Sequence, residues 1–124
     1  MSRIPRFKDL EVWKKSMDLV DLIYDLTQSY PSDERFGLAA ETRKTVRSIP
    51  YNVAEGKKRA STNEFRYFVS IAAGSLGELY TQVLIAFRRK YLPPSALPRL
   101  ETRIEEIGKM LYSLERALSP SAGA

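Results

Sequence analysis

The sequence contains neither cysteine nor histidine. Without thiols or imidazoles a chain forms no disulfide and no Cys/His zinc site. It also has no thiolate nucleophile, no histidine general base and no Ser-His-Asp triad. The lack of cysteine fits a reducing cytoplasm. No apolar run reaches the ~18 residues that a membrane span needs. The N-terminal MSRIPRFKDLEVW carries charges with no apolar core behind them, so it is not read as a signal peptide. The expectation is a soluble cytoplasmic protein with no membrane contact. No metal triad, nucleophile elbow or phosphate-binding loop is visible, so neither metal nor cofactor is expected and no enzymatic activity is assigned. Acidic residues are few beside basic ones, 15 against 20, for a net charge of +5. That excess permits nucleic-acid or acidic-protein binding without establishing it.

The 124 residues are enough for one domain with a core of its own. Four helical patterns fill the chain and none alternates like a strand. The first spans about Lys8 to Ser29, with a seam of Leu10, Trp13, Met17, Val20 and Tyr24 and an opposite stripe that includes Asp18, Asp21 and Asp25; Pro31 ends it. The second is expected to start at Ser32 as a cap, with Asp33 and Glu34 in its first turn. Its seam is Leu38, Thr42, Val46, Ile49 and Val53. Pro50 lies inside it, where a kink is expected, and Gly56 reads as its stop. The third opens on STNE, a capping box of Ser61 and Glu64. Phe65, Phe68, Ala72, Leu76, Leu79, Val83 and Ala86 face the core, and the small run Ala72–Ser75 with Gly77 suits a close helix approach. The fourth repeats Leu97, Leu100, Ile104, Ile107, Leu111, Leu114 and Leu118 at heptad spacing. Four such helices with short connections make an all-α, antiparallel up-down-up-down four-helix bundle. It is read as a single domain over 1–124, with a frayed tail at 119–124.

Ser48, Asn52, Glu55 and Arg59 share one stripe of helix 2, and Ser75, Glu78 and Gln82 share one of helix 3. If the two meet, the preferred reading is a polar network that fixes helix register. The alternative is a pocket in which Glu55 and Glu78 act as acid and base. In an antiparallel bundle the start of helix 1, the end of helix 2 and the start of helix 3 fall at one end. That end collects Arg3, Arg6, Lys8, Lys14, Lys15, Lys57, Lys58, Arg59 and Arg66 against Asp9, Glu11, Glu55 and Glu64. The cluster reads either as a solubilising surface or as a phosphate-contacting one. Arg88, Arg89 and Lys90 form a smaller patch at the other end. Arg43 and Arg47 share a face that reads either as pairing with the acidic stripe Asp18, Asp21 and Asp25, within a subunit or across an interface, or as a nucleic-acid contact; pairing is preferred. Helix 1 also carries Leu19, Leu22, Ile23 and Leu26 beyond its seam, and helix 4 carries Met110; extra apolar residues of this kind suit oligomer contacts.

Four stretches carry a family resemblance. They are FKDLEVWKKSMDLVDLIYDLT, YPSDERFGLAAETRKTVRSIPYNVAEGKKR, STNEFRYFVSIAAGSLGELYTQV and IGKMLYSLERAL. The pairing of SIPxNxAEGxxR with EFxxFxxIAxGSLxEL resembles the bacterial four-helix-bundle family of 23S ribosomal RNA intervening-sequence proteins, and the likeness runs from Phe7 to about Leu118. It implies a small cytoplasmic bundle that assembles into a homo-oligomeric ring, commonly a pentamer. The family is similar to the accessory variability proteins of diversity-generating retroelements, which bind a reverse transcriptase and nucleic acid. The implied partners are therefore RNA or DNA, or a nucleic-acid-processing protein. Glu41 stands where the family commonly has glutamine.

Overall fold

The computed structural model describes residues 6–120. Arg3 and the tail residues 121–124 lie outside the described residues. Helix α1 is Glu11–Thr27, α2 Leu38–Lys58, α3 Thr62–Arg88 and α4 Ala96–Ala117, with single 3-10 turns at Arg6–Asp9 and Ser32–Glu34. No strand occurs among the described residues. Each helix packs on the next, α4 returns to α1, and α2–α3 is the most extensive pairing. This cyclic pairing with short connections fits the up-down-up-down arrangement.

The seams of α2 and α4 follow the spacing in the sequence. Leu38, Thr42, Val46, Ile49 and Val53 are all buried, as are Leu100, Ile104, Ile107 and Leu111. Each fully buried Leu, Ile or Val contributes about 1.5–3 kcal/mol of burial free energy. Thr42 joins this seam because its hydroxyl donates to the Leu38 carbonyl at 2.7 Å.

Helix α1 is rotated from the expected face. Val12, Ser16, Leu19, Leu22, Ile23 and Thr27 point inward, while Met17 is 38% exposed and Trp13, Val20 and Tyr24 are half-buried. Ser16 and Thr27 explain the discrepancy. Each hydroxyl bonds a carbonyl of its own helix, Val12 and Ile23 respectively, both at 2.7 Å. A hydroxyl satisfied locally can be buried at little cost. Leu19, Leu22 and Ile23 are thus core residues and supply no surplus for oligomer contacts.

Two helix-boundary expectations also change. Ser32 opens a 3-10 turn, and α2 begins only at Leu38, whose backbone N–H donates to Glu34 Oε1 at 3.1 Å. Gly56 does not stop α2; the helix continues to Lys58. A β-carbon at Gly56 would lie 2.8 Å from Phe68 Cβ and 2.9 Å from Phe65 Cδ1, so glycine is needed for the close approach of α3. Gly74 and Gly77, by contrast, meet nothing within 4 Å and lie on an open face. Helix α2 runs unbroken through the buried Pro50. The Ser61 cap of α3 forms as expected, accepting from the Glu64 N–H at 3.1 Å.

Thr62–Arg88 is, contrary to expectation, long and apolar enough to cross a membrane by length and composition, with a mean hydropathy of 1.3 over its most apolar window. Its buried apolar residues, Val69, Ala72, Leu76, Leu79, Val83 and Ala86, nevertheless step by three and four like one face of a bundle helix.

Candidate nucleic-acid interface

The turn between α2 and α3 forms one pole of the bundle. Arg59 leaves the helical region (φ −71°, ψ 155°), Ser61 caps the next helix, and Gly56 lets the two helices close up beneath the turn. Lys57, Lys58 and Arg59 sit at the C-terminal end of α2, where cations complement the unpaired carbonyls. The N-terminal 3-10 turn packs on α1 and α2, bringing the exposed Arg6 and Lys8 to this region.

These cations are held in different ways. Arg59 bonds Glu55 at 2.7 Å and stacks 4.8 Å over the Phe68 ring. Lys57 lies 5.7 Å over the Phe65 ring. Lys14 pairs with Glu11 at 3.4 Å, and Lys15 reaches Glu106 of α4 at 3.0 Å, on the flank of the bundle. Arg66, in the first turns of α3, is half-buried, with its Nε hidden and without a hydrogen-bond partner. Lys58, Arg6 and Lys8 are exposed and form no ion pair among the described residues. The ion pairs at this pole are themselves exposed and worth at most ~1 kcal/mol each, so a phosphate can displace them.

The cross-helix polar layer centres on Thr45, which the sequence reading missed. Gln82 Nε2 donates to Thr45 Oγ1 at 2.9 Å, and that hydroxyl lies 3.3 Å from Glu78 Oε1 and 2.9 Å from its own helix's Glu41 carbonyl. Ser48 and Asn52 instead donate within α2, to the Thr45 and Ser48 carbonyls, each at 2.7 Å. Both acceptors flank the stretch where Pro50 removes one helical donor. Ser75 is half-buried beside this layer. The register explains the arrangement. Thr45 is level with Glu78 and Gln82, whereas Gly56 is level with Phe65 and Phe68. Glu55 and Glu78 are therefore about 15 Å apart along the seam, at 1.5 Å per residue. That separation rules out a proton-sharing carboxylate pair. Among the described residues, no three acidic side chains gather closely enough to hold a metal ion.

Arg43 and Arg47 clamp α1 through Tyr24 rather than through the aspartates. Arg43 donates to Thr27 Oγ1 at 2.8 Å and to the Tyr24 carbonyl at 3.2 Å, and lies 4.7 Å over the Tyr24 ring. Arg47 donates to the Tyr24 hydroxyl at 2.7 Å, and this bond raises the pKa of its guanidinium further. Two cations at the last turn of α1 also suit its negative carbonyl end. Asp18, Asp21 and Asp25 stay exposed on the outer face of α1.

A groove of about 920 Å³ runs between α3 and α4, floored by Leu76, Gly77, Ile104 and Gly108. Tyr80 closes one wall by donating to Glu101 at 2.5 Å, which raises its pKa. The absent side chains at Gly77 and Gly108 open this groove, a role that helical periodicity alone does not reveal.

A profile of the 23S rRNA-intervening sequence protein family matches residues 8–113 of this chain. The fold is also similar to a solved structure from Bacteroides thetaiotaomicron, described as a protein of unknown function from the S23 ribosomal protein family. The two are 21% identical with a TM-score of 0.78, and the match covers 85% of this chain and 95% of the other. No curated protein matches the sequence.

Proposed function

The chain belongs to the 23S rRNA-intervening sequence protein family, and on that footing we propose that it is a cytoplasmic, non-enzymatic bundle protein that binds nucleic acid weakly and with little sequence preference through the α2–α3 pole. One observation carries the reading. A tight turn, built on Gly56 and the Ser61 cap, gathers Lys57, Lys58 and Arg59 at one pole, against which the segment bearing Arg6 and Lys8 also packs. Phosphate contacts by lysine and arginine give affinity without sequence information. Each contact releases counterions, so affinity falls with salt at a slope of about −0.9 per phosphate on duplex DNA and about −0.7 on single strands.

The test is a fluorescence-anisotropy titration of the wild type and of Lys57→Ala/Lys58→Ala/Arg59→Ala against short RNA and DNA at two salt concentrations. The expected result is weaker binding and a flatter salt slope for the variant. Equal affinity of both proteins, or no binding even at low salt, sinks the proposal.

A second reading makes the same chain a ring-forming adaptor, a pentamer if it follows the family resemblance, that docks on a nucleic-acid-processing protein such as a reverse transcriptase. It is supported by the half-exposed row of Trp13, Met17 and Val20 beside the exposed aspartates of α1. A surface both apolar and acidic suits a basic protein neighbour, including another copy of this chain. Light scattering coupled to gel filtration is expected to return an oligomer mass; a monomer at micromolar concentration contradicts it.

A further inference from the structure

The opposite pole of the bundle combines features that the proposed phosphate surface does not explain. It is formed by the α1–α2 and α3–α4 connections, which are tied together. Tyr91 donates to Glu34 Oε2 at 3.0 Å, and its ring packs 5.5 Å from that of the buried Tyr30. On this joined platform Phe36 is 88% exposed, the most exposed large apolar side chain among the described residues. Arg35 lies 5.3 Å over its ring. Phe87 is also partly exposed and lines a shallow hollow of about 680 Å³ with Arg88, Lys90 and Tyr91.

Arg88, Arg89 and Lys90 are exposed and form no ion pair among the described residues. Of the acids on this platform, Glu34 is engaged by Tyr91 and by the Leu38 N–H, leaving Asp33. The backbone adds a further sign. Lys90 has φ 65°, and it sits where the Tyr91 N–H bonds the Ala86 carbonyl and the Lys90 N–H bonds the Phe87 carbonyl. That is a Schellman ending, whose left-handed position is normally glycine because a β-carbon is strained there. This chain keeps a cation at that position despite the strain. Favourable interaction with the end of α3 accounts for some positive charge here. It does not account for a phenylalanine left in water on the same joined platform.

We propose that this pole is a second nucleic-acid site, which takes an unpaired base of a single strand on the Phe36 ring and holds the adjoining phosphates with Arg35, Arg88, Arg89 and Lys90. Exposed aromatics flanked by unpaired cations are the combination by which proteins hold single strands without reading their sequence. The site uses residues separate from those of the α2–α3 pole, so either can fail without the other.

The experiment compares a short fluorescent oligothymidylate with an abasic strand of equal length, which keeps the phosphates and removes the bases. Four proteins are titrated: the wild type, Phe36→Ala, Arg88→Ala/Arg89→Ala/Lys90→Ala, and the α2–α3 pole triple variant. The wild type is expected to prefer the base-bearing strand by roughly 5- to 100-fold. Phe36→Ala should erase that preference and leave the abasic strand bound as before; at 88% exposure the change does not threaten the fold. The Arg88–Lys90 variant should weaken both strands, and the α2–α3 variant should keep the preference. Equal wild-type binding of the two strands, or a preference that survives Phe36→Ala, overturns the proposal. So does displacement by polyglutamate as readily as by unlabelled oligothymidylate, which would mark an acidic-protein site. In each of these cases, binding lost in the Lys57–Arg59 variant would still support the first pole.

Discussion

At the pole made by the α2–α3 turn, Arg59 lies on Phe68 and bonds Glu55, and Lys57 lies on Phe65. At the other pole, Arg88, Arg89 and Lys90 form no ion pair among the described residues, and Phe36 stands in water. Formal charge is thus a poor guide to what a surface can do. The α2–α3 pole lays its own cations over Phe65 and Phe68, while Tyr67 in the first turns of α3 stays 62% exposed, and it offers mainly phosphate contacts. The opposite pole holds one cation, Arg35, over the Phe36 ring and still leaves that ring 88% exposed. The two also differ in support. One is built on a close helix–helix approach at Gly56, and the other on two connections tied by Tyr91.

That difference in support can be tested by breaking it. Gly56→Val is expected to have the largest effect. Its β-carbon would meet Phe68 and Phe65 at under 3 Å, and overpacking of this kind costs about 1–3 kcal/mol. Thermal or urea unfolding should register that loss, and nucleic-acid binding at the α2–α3 pole should fall while the Phe36 pole keeps its base preference. A variant as stable as the wild type would show that the helices can separate there at no cost.

Thr45→Val tests the seam beneath that pole and should lose about 1–2 kcal/mol in urea unfolding, because Gln82 is left without its partner. An unchanged midpoint would mean that the layer adds nothing to stability.

The third effect is at the other pole and appears only in alkali. Burial raises the pKa of Tyr30 from 10.0 to about 12. Below pH 10 the hydroxyl is protonated in both folded and unfolded chains and adds no pH dependence. Between pH 10 and 12 the unfolded chain releases the proton while the folded chain retains it, so stability falls by up to about 1.4 kcal/mol per unit. Tyr30→Phe should flatten that decline relative to the wild type, and identical alkaline profiles would refute it.

The sequence exposes some of this architecture and hides the rest for identifiable reasons. The seams of α2 and α4 are legible because Val46, Ile49, Val53, Leu100, Ile104 and Ile107 have no polar competitor at the same period. Helix α1 has two apolar stripes. The buried one contains Ser16 and Thr27, whose hydroxyls look wet until their bonds to carbonyls are seen. Gly56 stands out in the sequence, but its purpose depends on Phe65 and Phe68 from another helix. Thr45 carries no sign of its role, since a threonine in a helix becomes a polar hub only once the register brings Gln82 and Glu78 level with it. The clustering of Lys57, Lys58 and Arg59 could be read directly from the chain, whereas the exposure of Phe36 could not.

The most direct measurement is the salt dependence of duplex binding for the wild type and the two pole variants, Lys57→Ala/Lys58→Ala/Arg59→Ala and Arg88→Ala/Arg89→Ala/Lys90→Ala. If all three removed cations at the α2–α3 pole meet phosphates, the slope of log affinity against log salt should flatten by about 2–3 for that variant. The Arg88–Lys90 variant should leave the duplex slope much nearer that of the wild type. A slope unchanged in the first variant, or changed equally in both, would contradict the assignment of phosphate binding to the α2–α3 pole.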